Sequence, residues 1–251
     1  MCKYNMSEEP VDWYGKIPKE LRKVWHNPKY QKHKIELPAR IMVIAASGGG
    51  KTTFALQFIH DTSGTFEHIA VCVKSKHEPL YEYLAKKLPT QVTFYENAVV
   101  PMSELEQYGQ SLVILDDLVN TKALQTPIAE MAIRGRKKGI TIMYLTQSYY
   151  AVPKLIRLQM NYLIIKKVSS EKDLKLILRE QNFGINLDQL MELYKKATAD
   201  KKNWLMIDVD HDELKFRNNY TPIHLQKESE PQSKKKVEPK LTLRKPKWWE
   251  E

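Results

Sequence analysis

The chain has 251 residues, 42% of them apolar, and a formal net charge of +10, with an isoelectric point near 9.3. This is enough chain for one α/β domain with a hydrophobic core plus appendages, or for two small domains. The positive charge favours an acidic partner, nucleic acid before membrane, although a basic protein without such a partner has the same composition. The two cysteines, Cys2 and Cys72, exclude a disulfide framework and fit a reducing compartment.

The N-terminus reads M-C-K-Y-N and lacks both the apolar segment of a signal peptide and the glycine that myristoylation requires. No apolar run approaches the length of a membrane span. We therefore expect a protein that is made and kept in the cytosol or nucleus and has no membrane partner.

Residues 1–36 are predicted to form a basic, aromatic N-terminal arm, in which three prolines interrupt any long helix. Its aromatic and basic side chains would stack on bases, dock on a neighbouring subunit or pack over the arm's own domain, and the sequence does not separate these alternatives. His26 and His33 have no cysteine or carboxylate partner at metal-ligand spacing, so we expect surface histidines.

The segment on which the chain is organised reads A-R-I-M-V-I-A-A-S-G-G-G-K-T-T-F and covers residues 39–54. An apolar run of the length of a buried strand enters a glycine-rich turn and then a helix-compatible segment. Because glycine has no Cβ, consecutive N–H groups of such a turn can face inward around phosphate oxygens at a helix N-terminus. The pattern predicts a nucleotide phosphate loop, with a plain glycine-rich turn as the alternative.

Each position of this loop has an expected role. Lys51 would reach the β- and γ-phosphates, and the Thr52 hydroxyl would ligate Mg²⁺. The template G-x-x-x-x-G-K-[ST] has glycine where this chain has Ala45, a change that costs little if φ is negative there. The residues predicted to bind the nucleotide are Ser47, Gly48, Gly49, Gly50, Lys51, Thr52 and Thr53.

Strands and helices alternate after the loop. Residues 68–73 are predicted to form a buried strand, 78–88 a helix and 91–95 a third strand, followed by a loop and short helix before residue 110. Alternation of this kind is typical of a parallel sheet covered by helices on both faces.

A second chemical landmark is S-L-V-I-L-D-D-L, residues 111–118. Four apolar residues followed by two carboxylates predict a buried strand whose carboxyl end carries acid, where ligands bind in open parallel sheets. Asp116 would hold Mg²⁺ through water, and Asp117 would polarise the attacking water. The alternative is a helix cap or turn, since Asn120 and Thr121 could begin the next helix.

Residues 121–138 can form a helix that ends in the basic cluster R-G-R-K-K. This cluster is either a solvated helix end with favourable dipole charge or the source of an arginine that reaches a γ-phosphate on the adjacent subunit. The strand predicted at 140–145 ends in Thr146 and Gln147, and the Gln147 amide is placed to orient water or sense the γ-phosphate.

The remaining elements are a short helix at 153–157, a strand at 161–165, helices at 170–180 and 187–199, and a hairpin of 203–208 with 214–217. We predict an ATPase domain at residues 37–225 and a flexible basic tail at 226–251, which cannot bury enough apolar surface to fold independently. The tail would grip nucleic acid or fill a pocket of a partner.

Taken together, A-A-S-G-G-G-K-T-T, V-I-L-D-D-L, R-G-R-K-K-G and L-T-Q-S-Y-Y-A-V-P-K-L-I-R-L-Q-M-N resemble, in order and distance, the genome-packaging ATPases of large double-stranded DNA viruses and their virophages. These belong to the FtsK-HerA group of P-loop translocases, and the resemblance covers residues 38–168. It implies an α/β fold with a RecA-like, mainly parallel sheet flanked by helices. It also implies that the strand ending in Gln147 lies between the strands ending in Ala45 and Asp116.

The resemblance further implies an Mg²⁺-dependent ATPase that assembles into a homo-oligomeric ring of six subunits, with double-stranded DNA in the channel and ATP at the interfaces. Lys51 and Thr52 match the phosphate-loop pair, Asp116 the metal acid, Asp117 the position often filled by Glu, and Gln147 the polar sensor. Arg134 or Arg136 matches the trans arginine, and Arg157 is a second candidate.

The expected function is a motor that pumps viral DNA into a preformed capsid, with phosphate contacts that do not read sequence, in the cytoplasm or nucleus of the infected cell. Capsid vertex proteins are further expected partners. The alternatives are a DNA helicase, a transposition-linked ATPase, or a nucleotide-dependent scaffold or switch without rapid turnover.

Overall fold

The structure is a computed structural model that describes residues 11–181, 183–212 and 215–224, so the predicted tail lies outside the described residues. The strands are β1 (Arg40–Ile44), β2 (His68–Val73), β3 (Val92–Glu96), β4 (Ser111–Asp116), β5 (Ile140–Thr146), β6 (Tyr162–Ile165), β7 (Leu205–Asp208), β8 (Phe216–Asn218) and β9 (Thr221–Pro222). The helices are α1 (Trp13–Lys16), α2 (Tyr30–His33), α3 (Lys51–Asp61), α4 (Pro79–Lys87), α5 (Met102–Leu105), α6 (Lys122–Arg134), α7 (Lys154–Arg157), α8 (Lys172–Glu180) and α9 (Leu187–Ala197).

Within the described residues the strands form one sheet in the order β3-β2-β4-β5-β1-β6-β7-β8-β9. The pairs from β3 to β6 are parallel, and β7, β8 and β9 extend the sheet with antiparallel pairs. The predicted mainly parallel α/β sheet is confirmed, and so is the position of β5 between β1 and β4.

The sheet is covered on both faces, which is why its central strands are apolar along their whole length. Side chains alternate between the two cores, as the twofold period of a strand requires. In β1, for example, Met42 and Ile44 belong to one core, whereas Ile41 and Val43 belong to the other.

Helix α3 anchors the glycine-rich turn to the sheet. Its Phe54, Ala55 and Phe58 are buried in the same core as Ile41 and Val43. Burying aromatic side chains of this size stabilises the fold by about 1.5–3 kcal/mol each, so the start of α3 is held against β1 by packing that does not involve the turn itself.

The antiparallel extension fixes residues 33–35 to the domain. Arg217 of β8 is fully buried, pairs with Asp208 of β7 at 2.5 Å, and donates from Nη1 to the carbonyl oxygens of His33 at 3.1 Å and Lys34 at 2.9 Å. Ile35 is fully buried beside this pair of strands. One buried cation therefore joins the C-terminal end of the arm to the far side of the sheet.

The expectation of a surface position for His33 is wrong. Its side chain is fully buried, Nδ1 accepts a hydrogen bond from the Ile35 amide at 3.0 Å, and burial lowers its pKa to about 4. The sequence did not reveal this because the residues that cover His33, Arg217 and Tyr220 among them, come from the distant hairpin. His26, in contrast, is exposed as expected.

The first part of the described arm projects apolar side chains into solvent. The exposed fraction of Trp13 is 72% and that of Val24 is 89%, whereas Trp25 is half-buried. The helices of this region are single turns, in agreement with the prolines that interrupt it.

Among the described residues, none of the helices combines the length and apolar character that crossing a bilayer requires.

We expect Arg217→Ala to lower the free energy of unfolding by about 3–5 kcal/mol, because Asp208 would keep a buried charge without its partner. Urea denaturation measures the change. Lys215→Ala is the matched control, since Lys215 lies in the same hairpin and pairs with Asp212, whose side chain is 95% exposed. Equal stability of the two variants would contradict a structural role for the Arg217–Asp208 pair.

Candidate ATP-binding site

The glycine-rich turn between β1 and α3 has the backbone of a phosphate loop. Gly48 and Gly50 have φ of +65° and +84°, in the left-handed region that side chains disfavour. A Cβ on Gly49 would lie 2.8 Å from the Ala46 carbonyl oxygen, so this position also excludes larger residues. The three glycines are therefore each required by the shape of the turn.

The departure from the loop template at Ala45 has no conformational cost. Ala45 is fully buried, and it is not among the described non-glycine residues with positive φ, which are Lys34, Asn97, Asp117 and Asn219. Its amide donates to the Thr146 carbonyl oxygen at 3.1 Å. Glycine is thus not needed at the entrance of this loop.

The start of α3 presents unpaired amides beside the turn. The first intrahelical bond runs from the Phe54 amide to the Gly50 carbonyl oxygen at 3.0 Å, so the amides of residues 51–53 precede it. Lys51 folds back over the loop, with Nζ 3.4 Å from the Ala45 carbonyl oxygen. Amides, helix dipole and lysine together favour an anion at this point.

The two aspartates at the end of β4 have different surroundings. Asp116 accepts a hydrogen bond at Oδ2 from the Tyr81 hydroxyl at 2.6 Å; burial raises its pKa, and the Tyr81 bond and the charge of Lys51 oppose the rise. Asp117 adopts a left-handed backbone with φ of +53° and accepts from the Gln147 side-chain amide at 3.0 Å. The adjacent carboxylates are thereby separated into two positions.

The sequence-predicted residues Lys51, Asp116, Asp117 and Gln147 meet at one edge of the sheet. The Asp117 amide donates to the Leu145 carbonyl oxygen at 3.1 Å. The next carbonyl oxygen, that of Thr146, accepts the hydrogen bond from the Ala45 amide. Both the loop and the acid pair are consequently tied to the last two residues of β5.

The donor groups at this edge suit Mg²⁺. Burial raises the pKa of Tyr81, the charge of Asp116 raises it further, and the nearby Thr52 hydroxyl lowers it, so Thr52 and Asp116 both lie near one hydroxyl. A threonine hydroxyl and a carboxylate are hard oxygen ligands, and Mg²⁺ commonly takes one or two of these with phosphate and water. No cluster of three His, Cys, Asp or Glu side chains that could hold a metal alone occurs in residues 11–181, 183–212 and 215–224.

The arginines of the basic cluster lie at the opposite edge of the sheet. Arg134 ends α6 and pairs with Glu130 at 2.8 Å, and Arg136 lies in the 3₁₀ turn that precedes β5. The seven residues of β5 separate this turn from Gln147 by about 20 Å. Neither side chain can contact a nucleotide bound by its own subunit.

Arg157 does not have the free side chain that a trans arginine needs. Its exposed fraction is 7%, its guanidinium binds both carboxylate oxygens of Glu180 at 3.0 and 2.5 Å, and Nη1 donates to the carbonyl oxygens of Tyr150 and Val152. The expectation that Arg157 is a second candidate for the trans arginine is therefore corrected, because its side chain joins α7 to α8 inside its own subunit.

Three residues of this region, Tyr81, Lys166 and Trp204, were not predicted from the sequence. Tyr81 reaches the acid pair from α4. Lys166 follows β6, and its Cε lies 3.2 Å from the position that a Cβ on Gly50 would take. Lys166 also lies over the ring of Trp204 at 5.5 Å. The sequence held one indication of Lys166, because two lysines directly follow the β6 segment and ligands bind at the carboxyl ends of parallel strands.

A cavity of about 750 Å³ opens beside the loop. It lies on the β6 side, away from Asp116, and Lys166 and the loop glycines form part of its wall. Three aromatic side chains contribute further surface, namely Phe54, Trp204 and Tyr220.

The parallel order β4-β5-β1, the loop and the acid pair define the class of P-loop NTPases. Residues 28–243 match the model of the poxvirus A32 protein family. The chain belongs to that family, and its resemblance to viral packaging ATPases is confirmed.

Solved structures show the same fold. The chain is similar to B204, the DNA-packaging ATPase from Sulfolobus turreted icosahedral virus, with a TM-score of 0.54 at 16% identity over 76% of this chain and 100% of that one. The genome-packaging NTPase B204 from Sulfolobus turreted icosahedral virus 2, in complex with AMP, has a TM-score of 0.54 at 17% identity over 75% and 100%. EssC (ATPases 2 and 3) from Geobacillus thermodenitrificans has a TM-score of 0.52 at 12% identity over 76% and 41%. Comparison with curated proteins found no match.

We expect Gly50→Ala to weaken binding of a non-hydrolysable ATP analogue by about tenfold or more, because left-handed alanine costs about 1–2 kcal/mol and its Cβ would press on Lys166. Isothermal titration calorimetry measures the affinity. Gly64→Ala is the control, since Gly64 has φ of +87° and its nearest neighbour would be Pro28 at 3.8 Å. Gly64→Ala should lose about as much thermal stability as Gly50→Ala but keep the wild-type affinity for the analogue. Equal affinities of the two variants would rule out a phosphate-binding role for the turn.

Proposed function

We propose that this chain binds ATP with Mg²⁺ at the carboxyl edge of β1, β4 and β5 and hydrolyses it to move double-stranded DNA during packaging of a viral genome. One observation carries the nucleotide site. The Ala45 and Asp117 amides donate to the carbonyl oxygens of two successive residues of β5, so the glycine-rich turn lies directly beside two carboxylates.

Phosphate binding, orientation of the attacking water and metal binding fall to different residues. The amides of Gly48–Gly50 and residues 51–53, with Lys51, hold the phosphates and neutralise charge that develops on them. Asp117 and Gln147, already hydrogen-bonded to each other, orient the water that attacks in line. Thr52 and Asp116 would hold Mg²⁺, which supplies further charge neutralisation when bound.

The orientation of the nucleotide follows from the sheet order. Asp116 and Asp117 follow β4, and the cavity lined by Trp204 and Lys166 lies past β1 on the β6 side. The terminal phosphate therefore belongs at the β4 side and the base and ribose in the cavity. Its aromatic walls offer the apolar contact that a base needs.

Action on DNA is supported by charge and by family. The net charge of +10 favours phosphate contacts, which are salt-dependent and insensitive to sequence. The similar B204 proteins are described as genome-packaging or DNA-packaging enzymes. We place the activity in a homo-oligomeric ring, six subunits by the resemblance, at the site of virion assembly in the cytoplasm or nucleus of the infected cell, docked on capsid vertex proteins.

We expect Lys51→Ala to lower the ATPase rate by about 100-fold or more, because it removes a cation from the phosphates. The measurement is phosphate release with and without duplex DNA, over a range of protein concentrations. Lys167→Ala is the control, because Lys167 is an exposed lysine beside the loop whose backbone contact with Ala46 the change preserves.

Equal rates for Lys51→Ala and the wild-type chain would reject the proposed site. A wild-type rate that duplex DNA does not raise would favour the nucleotide-dependent scaffold, and separation of strands in a helicase assay would favour the helicase.

We expect Arg136→Ala to lose activity alone and to regain it when mixed with Lys51→Ala. Arg136 lies a strand length away from its own loop, so it can complete a site only on another subunit. In mixed assemblies the Lys51→Ala subunit supplies the arginine and the Arg136→Ala subunit supplies the intact loop.

The ATPase rate of the mixture, compared with the sum of the separate variants, is the measurement. Repeating the experiment with Arg134→Ala in place of Arg136→Ala shows which of the two arginines completes the site. A mixture no more active than that sum would remove Arg136 from the site.

A further inference from the structure

We propose that Tyr81 is a positioning residue for the metal acid, because its hydroxyl holds the Asp116 carboxylate in the orientation that metal binding needs. The inference rests on the proposed ATP site. It begins from one contact, in which the Tyr81 hydroxyl donates to Asp116 Oδ2 at 2.6 Å. In the described chain this is the one hydrogen bond to the Asp116 side chain, so Oδ1 is left available.

Packing fixes the tyrosine independently of the acid. The exposed fraction of Tyr81 is 1%, and its ring meets Phe94 of β3 edge-on, with ring centroids 5.9 Å apart. Tyr81 lies in the first turn of α4, directly after the connection from β2. The hydroxyl therefore has a set position before any ligand arrives.

The sheet brings this connection beside the acid. Strand β2 is the parallel neighbour of β4, with Cys72 opposite Leu115, so the segment that leaves β2 passes next to Asp116. Asp116 is half-buried, and without this contact its side chain would be free to rotate about χ1 and χ2. A hydrogen bond to one carboxylate oxygen removes much of that freedom.

Thr52, in the first turn of α3, lies near the same hydroxyl. Tyr81 therefore contacts one of the two residues that would hold Mg²⁺, Asp116, and lies close to the other. Outer-shell partners of this kind orient metal ligands, and their loss commonly costs about 10–100-fold in metal affinity. A purely structural tyrosine would affect stability and leave metal affinity unchanged.

Tyr81→Phe separates the two roles, because it keeps the packed ring and removes only the hydroxyl. Tyr162→Phe is the matched control. Tyr162 is also buried, and its hydroxyl accepts one hydrogen bond, from the Glu36 amide at 3.0 Å. It lies at the amino end of β6, whereas the proposed site lies at the carboxyl ends of the parallel strands.

The experiment measures binding of Mn²⁺ to the full chain with a non-hydrolysable ATP analogue, from the electron paramagnetic resonance signal of free Mn²⁺. We expect Tyr81→Phe to weaken Mn²⁺ binding by about 10–100-fold and to leave metal-free nucleotide affinity unchanged. Tyr162→Phe should match the wild-type chain in both. Thermal melts of both variants verify that they are folded.

A double-mutant cycle with Asp116→Asn tests whether Tyr81 acts through the acid, since Tyr81→Phe should then make no further difference in the Asp116→Asn background. Folded Tyr81→Phe with wild-type Mn²⁺ affinity overturns the inference, and so does an equal loss in both backgrounds. A wild-type chain that binds no Mn²⁺ with nucleotide overturns the proposed function itself.

Discussion

The pairing of β5 with β1 on one side and β4 on the other is the constraint on which the site depends. The register sets Ile44 opposite Thr146 and Asp116 opposite Leu145, so the loop and the acid pair leave the sheet at the same level. Slipping either pair by one residue would exchange the faces of every side chain in that strand. The two hydrophobic cores that stabilise the sheet therefore also fix the distance between phosphate loop and carboxylates.

The two edges of the sheet have different chemistry, and this shapes the assembly. The carboxyl edge carries the loop, Asp116, Asp117 and Gln147, whereas the amino edge of β5 carries the turn with Arg136. Arg136 lies a strand length from the loop of its own chain, so under the proposed function an arginine of this turn would complete the site of a second subunit. The exposed Trp13 and Val24 of the arm add apolar surface that such contacts between subunits would bury.

The sequence was sufficient to predict the parts of the structure that depend on local pattern. Continuous apolar runs predicted β1, β4 and β5 within a residue or two of their observed bounds, because strands of a parallel sheet that is covered on both faces are apolar along their length. Contacts between distant segments were not predictable. His33 is buried by a hairpin about 180 residues away, Arg157 is neutralised by Glu180, and Tyr81 meets Asp116 only because β2 happens to be the neighbour of β4. Each of these contacts depends on the order of the strands or the packing of the helices, and the spacing of residues along the chain does not determine either.

An experimental structure of the chain with a non-hydrolysable ATP analogue and Mg²⁺ would test most sharply whether one triphosphate joins the loop and the acid pair. In that structure we expect the β- and γ-phosphates against the amides of Gly48–Gly50 and residues 51–53, the metal between Thr52 and Asp116, and the base beside Trp204. A nucleotide bound elsewhere, or a phosphate in the loop with Asp116 and Asp117 turned away from it, would contradict the claim that one triphosphate joins the two motifs.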